Sequence, residues 1–387
     1  MPKTNFDFDQ LPHRRDTGSI KWDRYPNYSP YWVADMDFAS PECVVTAIQK
    51  RVDHGVFGYA QPHAGLVESV LGYLERTHDV KVTASDLVHL PGMVPAISLA
   101  CRAVCSPGDQ ILICSPVYYP FFNVAADAGA ELIDVPHIRD EKTWRFDWVA
   151  LEQVVTHQTK MMVLCNPQNP LGRVFSQEEI VRLAELCDRH ELLLVSDEIH
   201  CDLILDPEQH HFSALRLPAE LRERLITLMA PSKTYNIAGL GYSFAVIENE
   251  QLRQQFNTAR GCTLPEINLL AMSAAEAAYR DGEPWRCNLV DYLRRNRDTL
   301  AKFFRDKMPD LKIHEHAATY LYWIDCSALN VANPCKFFSE EAGVFLTNGG
   351  PFGSRKHVRF NFGCPRAHML EGLEKMKVAI DQIHSAS

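Results

Sequence analysis

The sequence predicts an α/β protein: a mostly parallel sheet covered by helices, with a smaller α/β unit after it. Three observations lead there. Apolar runs of strand length alternate with helix-period segments between residues 85 and 245, the pattern that crossover helices impose on a parallel sheet. A long charged segment follows the turn residues Asp281-Gly282-Glu283-Pro284. The final stretch repeats apolar residues at helical spacing.

Taken in order, residues 1–44 are expected to fold back onto the smaller unit. Ser40-Pro41 marks a helix start, because proline in the first turn gives up an N–H that has no partner there anyway. Residues 45–282 are the expected large domain, with candidate strands at 87–90, 110–114, 161–165, 192–196, 225–229 and 243–247. Residues 177–189 predict a helix. Ser176 and Glu179 form a capping box, and Ile180, Leu183, Ala184 and Cys187 recur on the face that packs on the sheet. Residues 283–387 open with a connecting helix to about Met308, whose apolar positions are Leu289, Leu293, Leu300, Phe303 and Phe304. The small domain would then use 313–324, 344–359 and a last helix with Met369, Leu373, Met376, Ile380 and Ile383 on its apolar face.

Composition narrows the function. A chain of 387 residues, 46% apolar and 23% charged, is that of a soluble globular protein. A formal net charge of -10, with only short basic pairs such as Arg14-Arg15, argues against a nucleic-acid surface. Twelve cysteines are about 3% of the chain, below the roughly 8% of a disulfide scaffold, so buried thiols are expected. No Cys-x-x-Cys or His-Glu-x-x-His spacing occurs, and no metal is expected. Residues 1–7 have no apolar signal core and no run of about 18 apolar residues occurs, so the expected location is cytoplasmic, without a membrane partner.

The chemistry centres on Lys233 in Ala230-Pro231-Ser232-Lys233-Thr234-Tyr235-Asn236, just past the apolar run Leu225–Met229. A lysine there can form a Schiff base, although a lone lysine after a strand ordinarily ends in water. Two others precede it: Asn169 in Asn166-Pro167-Gln168-Asn169-Pro170, and Asp197 in Ser196-Asp197-Glu198-Ile199-His200. All three lie at or after the end of an apolar run, where open α/β sheets bind ligands. They are the parts a pyridoxal 5′-phosphate site needs: an amine for attachment, an acid for the pyridinium nitrogen and a donor for the phenolic oxygen. A carboxylate beside that nitrogen keeps it protonated, since an opposite charge favours the charged form. Read alone, Asp197 would be a helix cap. Pro91-Gly92-Met93-Val94-Pro95-Ala96 offers a glycine turn into a helix, so the N–H groups of Gly92, Met93 and Val94 can hold a phosphate, with the Ser232 hydroxyl beside them.

This ordered set resembles the fold-type I pyridoxal phosphate enzymes of the class I/II aminotransferase superfamily, across nearly the whole chain. The resemblance implies a large domain with a mostly parallel seven-stranded sheet sandwiched by helices, plus a smaller α/β domain. It assigns the three roles above to Lys233, Asp197 and Asn169. His200 stands where many relatives have a tyrosine at the phenolic oxygen; a core histidine is the alternative. Tyr118 would stack on the cofactor ring, with Tyr119 its rival. Tyr59, in Gly55-Val56-Phe57-Gly58-Tyr59, matches a tyrosine that reaches the neighbouring subunit's phosphate, which implies a homodimer with shared sites. Arg359, in Val358-Arg359-Phe360-Asn361, matches the arginine that grips the α-carboxylate through paired hydrogen bonds. Two positions depart from the transaminating pattern: Ala230 replaces a frequent serine, and Gly241 a frequent phosphate-binding arginine.

Two segments narrow the resemblance further. Arg14-Arg15-Asp16-Thr17-Gly18-Ser19-Ile20-Lys21-Trp22-Asp23 and Trp32-Val33-Ala34-Asp35-Met36-Asp37-Phe38 are similar to the N-terminal signatures of MalY/PatB-type cystathionine β-lyases, and Asp197-Glu198-Ile199-His200-Cys201-Asp202 fits as well. The implied activity is a C–S β-lyase that cleaves cystathionine or related L-cysteine S-conjugates to thiol, pyruvate and ammonia. Ala34, Tyr118, Asn169 and Arg359 would contact the substrate. The alternatives are an aminotransferase for an aromatic or neutral amino acid and, from another class, a regulatory partner of a transcription activator.

Overall fold

The computed structural model describes residues 6–140, 143–262 and 264–386; residues 1–5, part of the segment read for a signal core, lie outside them. Its larger sheet has seven strands in the spatial order Leu87–Leu90, Ser243–Val246, Leu225–Met229, Leu193–Asp197, Thr159–Cys165, Gln110–Ile113, Glu131–Asp134. Ser243–Val246 runs antiparallel to both its neighbours, and every other pairing is parallel. Six of these strands match the apolar runs to within a residue or two. Glu131–Asp134 has no such run because it is an edge strand with two exposed and two half-buried positions. Edge strands need less apolar surface than central ones.

Successive residues of a strand face opposite sides of the sheet, and the core divides accordingly. Leu112, Met162, Leu164 and Leu194 pack with helices Ala64–His78, Gln177–Arg189 and Leu269–Asp281. Ile111, Ile113, Met161, Val163 and Val195 pack on the other side with Met93–Val104 and Glu250–Arg260. Helix Gln177–Arg189 begins as its sequence dictates: the Ser176 side chain accepts from the Glu179 N–H while the Glu179 carboxylate accepts from the Ser176 N–H. Ile180, Leu183, Ala184 and Cys187 are all buried.

A second sheet has five strands in the order Ser29–Tyr31, Val344–Asn348, His357–Asn361, Leu321–Asp325, Lys312–Ile313. The N-terminal segment enters it by parallel pairing of Ser29–Tyr31 with Val344–Leu346. The 25-residue helix Glu283–Lys307 leads to this sheet, burying Leu289, Leu293, Leu300, Phe303 and Phe304. Helix Arg366–Ala386 covers it with Met369, Leu373, Met376 and Ile380. The start near Ser40-Pro41 differs in detail from the expectation. Pro41 occupies the cap position of helix Glu42–Asp53, and the Ser40 hydroxyl donates to the Asn236 carbonyl at 3.0 Å. Tertiary hydrogen bonding has taken the side chain that would otherwise cap. Among the described residues no helix is long and apolar enough to cross a membrane.

The Ser176 cap is testable. Ser176→Ala should lower stability by about 1 kcal/mol, measured by denaturant unfolding, because it orphans the Glu179 N–H.

Candidate active site

The parallel register brings the chemistry together. Cys165 pairs with Asp197, and Asp197 with Leu228, so three neighbouring strands end side by side. Asp197 is the last residue of its strand. Asn169 and Lys233 lie in the loops that follow the other two. These loops border a cavity of about 250 Å³ lined by Ala34, Gly92, Met93, Val94, Tyr118, Asn169, Asp197, His200, Ser232 and Lys233, each of them singled out in the sequence.

Burial controls the titration of this cavity. It raises the Asp197 carboxyl to about 7, against one hydrogen bond from the Ile199 N–H at 3.1 Å and the attraction of Lys233. It lowers the Lys233 amine to about 8, with Arg359 pushing the same way and Asp35 and Asp197 opposing. A buried charge is disfavoured whichever its sign, so acid and amine move towards each other. His200 is pushed down to about 3 by burial, then by Lys233 and Arg359; it is a neutral imidazole whose buried Nδ1 has no partner. Burial also raises Tyr118 to about 12. The Lys233 Nζ donates to the Ala34 carbonyl at 2.9 Å.

Two candidates lie outside the cavity lining. Arg359 is buried, donates through NH1 to Asn169 Oδ1 at 3.0 Å, and lies over the Phe352 ring. Its NH2 holds the Trp32 carbonyl at 3.0 Å, while its buried Nε has no partner. Tyr59 is fully exposed, and with Phe57, Gly58 and Ala60 it borders a groove against residues 266–270. Within this chain it does not meet the other site residues.

Both glycines at this cavity carry positive φ. Gly92, at +154°, precedes helix Met93–Val104, whose first residues Met93 and Val94 border the cavity. Gly241 has φ +68°, and a Cβ there would lie 3.0 Å from the Pro91 carbonyl oxygen. That backbone conformation suits glycine and strains an arginine.

Sequence reading missed several contributors. Tyr320 donates its hydroxyl to the Ala34 carbonyl at 2.9 Å from 286 positions away. Cys165 and Tyr242 also line the cavity. Cys165 reads in the sequence as a core cysteine at the end of an apolar run, and no local signal marks Tyr320. Among the described residues, one group offers metal-type ligands, His78, Cys201 and Asp202. The Tyr73 hydroxyl stands among them, donating to Asp202 Oδ1 at 2.7 Å and lying 2.9 Å from His78 Nε2, so this is a hydrogen-bonded cluster.

The family model "Aminotransferase class I and II" matches residues 33–376. The chain belongs to this family. Among its curated members, cystathionine beta-lyase PatB of Bacillus subtilis (strain 168) is 35% identical over 96% of this chain and 99% of its own. The crystal structure of OvoB superposes with a TM-score of 0.94 at 40% identity, covering 97% of this chain and 99% of that one. Cystalysin from Treponema denticola, whose crystal structure contains pyridoxal 5′-phosphate, superposes with a TM-score of 0.94 at 30% identity, covering 98% and 99%. The class I and II aminotransferase fold thus accounts for both sheets and for the cavity at the strand ends.

The shifted acid gives a pH prediction for the ligand-free protein. Asp197 has a folded pKa of about 7 against an ordinary 3.8, so its stabilising contribution is complete below about pH 4 and is lost as pH rises through 7. Asp197→Asn should remove that loss. Thermal unfolding from pH 4 to 8 should therefore give a flatter profile for the variant than for wild type.

Proposed function

We propose that this protein is a pyridoxal 5′-phosphate-dependent C–S β-lyase acting on cystathionine or related L-cysteine S-conjugates. The observation that carries the reading is the convergence of Lys233, Asp197 and Asn169 on one buried cavity, in a chain 29–35% identical to cystathionine β-lyases over nearly its full length. The residues fit the cofactor. An amine and a carboxyl whose titrations are drawn together, an unpartnered His200 Nδ1 and a glycine-led helix start supply what its aldehyde, ring and phosphate require. Gly241 supports a phosphate held by Met93, Val94 and Ser232 rather than by a guanidinium at that position.

Bound pyridoxal 5′-phosphate would act as the electron sink for the substrate Cα. Asp197 would hold a proton on the ring nitrogen, and the opposing charge would draw its own titration down. Asn169 and His200 would meet the phenolic oxygen, and Tyr118 the ring face. Arg359, with its Nε unpartnered, would clamp the α-carboxylate and so fix which Cα bond is broken. Lys233, drawn down to about 8, is available as a base near neutral pH and would take the Cα proton. As the Cβ–S bond breaks, its electrons leave with sulfur and the Lys233 ammonium returns a proton to the thiolate. The three-carbon remainder takes up water to give pyruvate and ammonia.

The reading extends to the assembly and the chain's division. Residues 1–44 and 283–387 would form the small domain and 45–282 the large one, in a cytoplasmic homodimer where Tyr59 reaches the partner's phosphate site. The exposure of Val56, Phe57 and Tyr59 together supports such a contact.

Purified protein given L-cystathionine without a keto acid should release pyruvate and free thiol in equal amounts. Lys233→Ala should slow this by about 10²- to 10⁴-fold. Absence of pyruvate, with an amino acid converting the cofactor to its amine form, would replace the lyase reading by transamination.

A further inference from the structure

Residues 32–36 run through the site in an irregular conformation, yet all five of their carbonyls accept side-chain hydrogen bonds. The Trp32 carbonyl receives Arg359 NH2 at 3.0 Å and Thr347 Oγ1 at 2.7 Å. The Ala34 carbonyl receives the Lys233 amine and the Tyr320 hydroxyl, both at 2.9 Å. Asn361 Nδ2 donates to the Val33 and Asp35 carbonyls at 2.6 and 2.7 Å. Lys21 Nζ reaches the Asp35 carbonyl at 3.1 Å, and Arg14 NH1 the Met36 carbonyl at 2.9 Å. One short segment therefore touches both working cations, and part of its support comes from Lys21 and Arg14.

Those two cations meet at Asp37. Its Oδ2 accepts from Lys21 Nζ at 2.6 Å, and its Oδ1 from Trp22 Nε1 at 2.8 Å and Arg14 NH1 at 3.0 Å. The Lys21 and Asp37 side chains have no exposed surface. None of these four residues lines the cavity. A buried cation that loses its carboxylate is uncompensated and has to move or shed its charge. Movement of Lys21 leaves the Asp35 carbonyl to Asn361 Nδ2 alone, and loss of its charge weakens the bond it keeps, so either response slackens the segment.

We propose that Asp37 is a positioning residue of the active site: acting through residues 32–36, it fixes where the Lys233 amine and the Arg359 guanidinium rest. The inference relies on the proposed roles of those two groups, and it adds the buried Lys21–Asp37 pair behind the cavity to the machinery.

The test uses holoenzyme and two readouts besides turnover. One is the pH midpoint at which the absorbance of the lysine-attached cofactor changes. The other is affinity for S-methyl-mercaptopropionate, a thioether acid without the α-amine. Asp37→Asn should lower kcat and raise KM together, each by roughly 10- to 100-fold, and move both readouts. Tyr320→Phe removes only the contact at Ala34 and should move the pH midpoint while leaving acid affinity unchanged. Arg359, Asp35, Asp197 and His200, which face the Lys233 amine, are retained in it. Thr347→Val removes the contacts that its hydroxyl makes with the Trp32 carbonyl and with Arg359, and should weaken the acid while leaving the midpoint unchanged. A folded Asp37→Asn protein with wild-type readouts overturns the proposal. Should that variant fail to fold, the other two decide: equal movement of both readouts by either variant, or of neither by both, also overturns it. Wild type that binds cofactor and acid yet forms no pyruvate would sink the lyase reading alone, since neither readout requires elimination.

Discussion

The parallel register of three central strands is the constraint on which the cavity depends. Because Cys165, Asp197 and Leu228 lie abreast, the loops leaving Thr159–Cys165 and Leu225–Met229 emerge beside the end of Leu193–Asp197. Asn169 and Lys233 are thereby delivered to Asp197 from positions far apart in sequence. A one-residue slip would turn every side chain of a strand to the other face, so the apolar cores on both faces enforce the register. Core packing and site assembly are in this sense one requirement.

Dryness is the second shared cause. The same desolvation raises Asp197 to about 7 and lowers Lys233 to about 8, His200 to about 3 and Arg359 to about 10. No dedicated neighbour is needed to tune each group, because all sit where charge is poorly solvated. A cofactor carrying a ring cation and a phosphate would bring the missing counter-charges. The titratable groups of the cavity are therefore displaced in the directions that such a cofactor would relieve.

The N-terminal segment links the two sheets and the site. Ser29–Tyr31 joins the smaller sheet, while Met36 and Phe38 are tied to Asn236, three residues beyond Lys233. Between them, Lys21 and Asp37 form a buried ion pair, with the half-buried Arg14 and Asp35 beside it. A buried ion pair is weak support for stability in itself, but losing one partner costs about 3–5 kcal/mol. Its value here lies in fixing one conformation of a segment that has little backbone pairing.

What was legible in the sequence was whatever local physics writes locally. Apolar runs of strand length gave six of the seven strands in the larger sheet, and the Ser176–Glu179 pair gave a helix start to the residue. Residue types at strand ends, with the family resemblance for Ala34, Tyr118 and His200, gave ten residues that line the cavity. What escaped was decided by contacts between distant segments. Glu131–Asp134 is a strand because Gln110–Ile113 lies beside it, and Ser40 leaves its capping role for the Asn236 carbonyl. Tyr320 and Lys233 share the Ala34 carbonyl although no spacing connects them. The sequence by itself determined which groups were available and which elements carry them, since propensity and periodicity act over a few residues. Only the tertiary structure decided which donor meets which acceptor, because a hydrogen bond between distant segments depends on where packing has already put both of them.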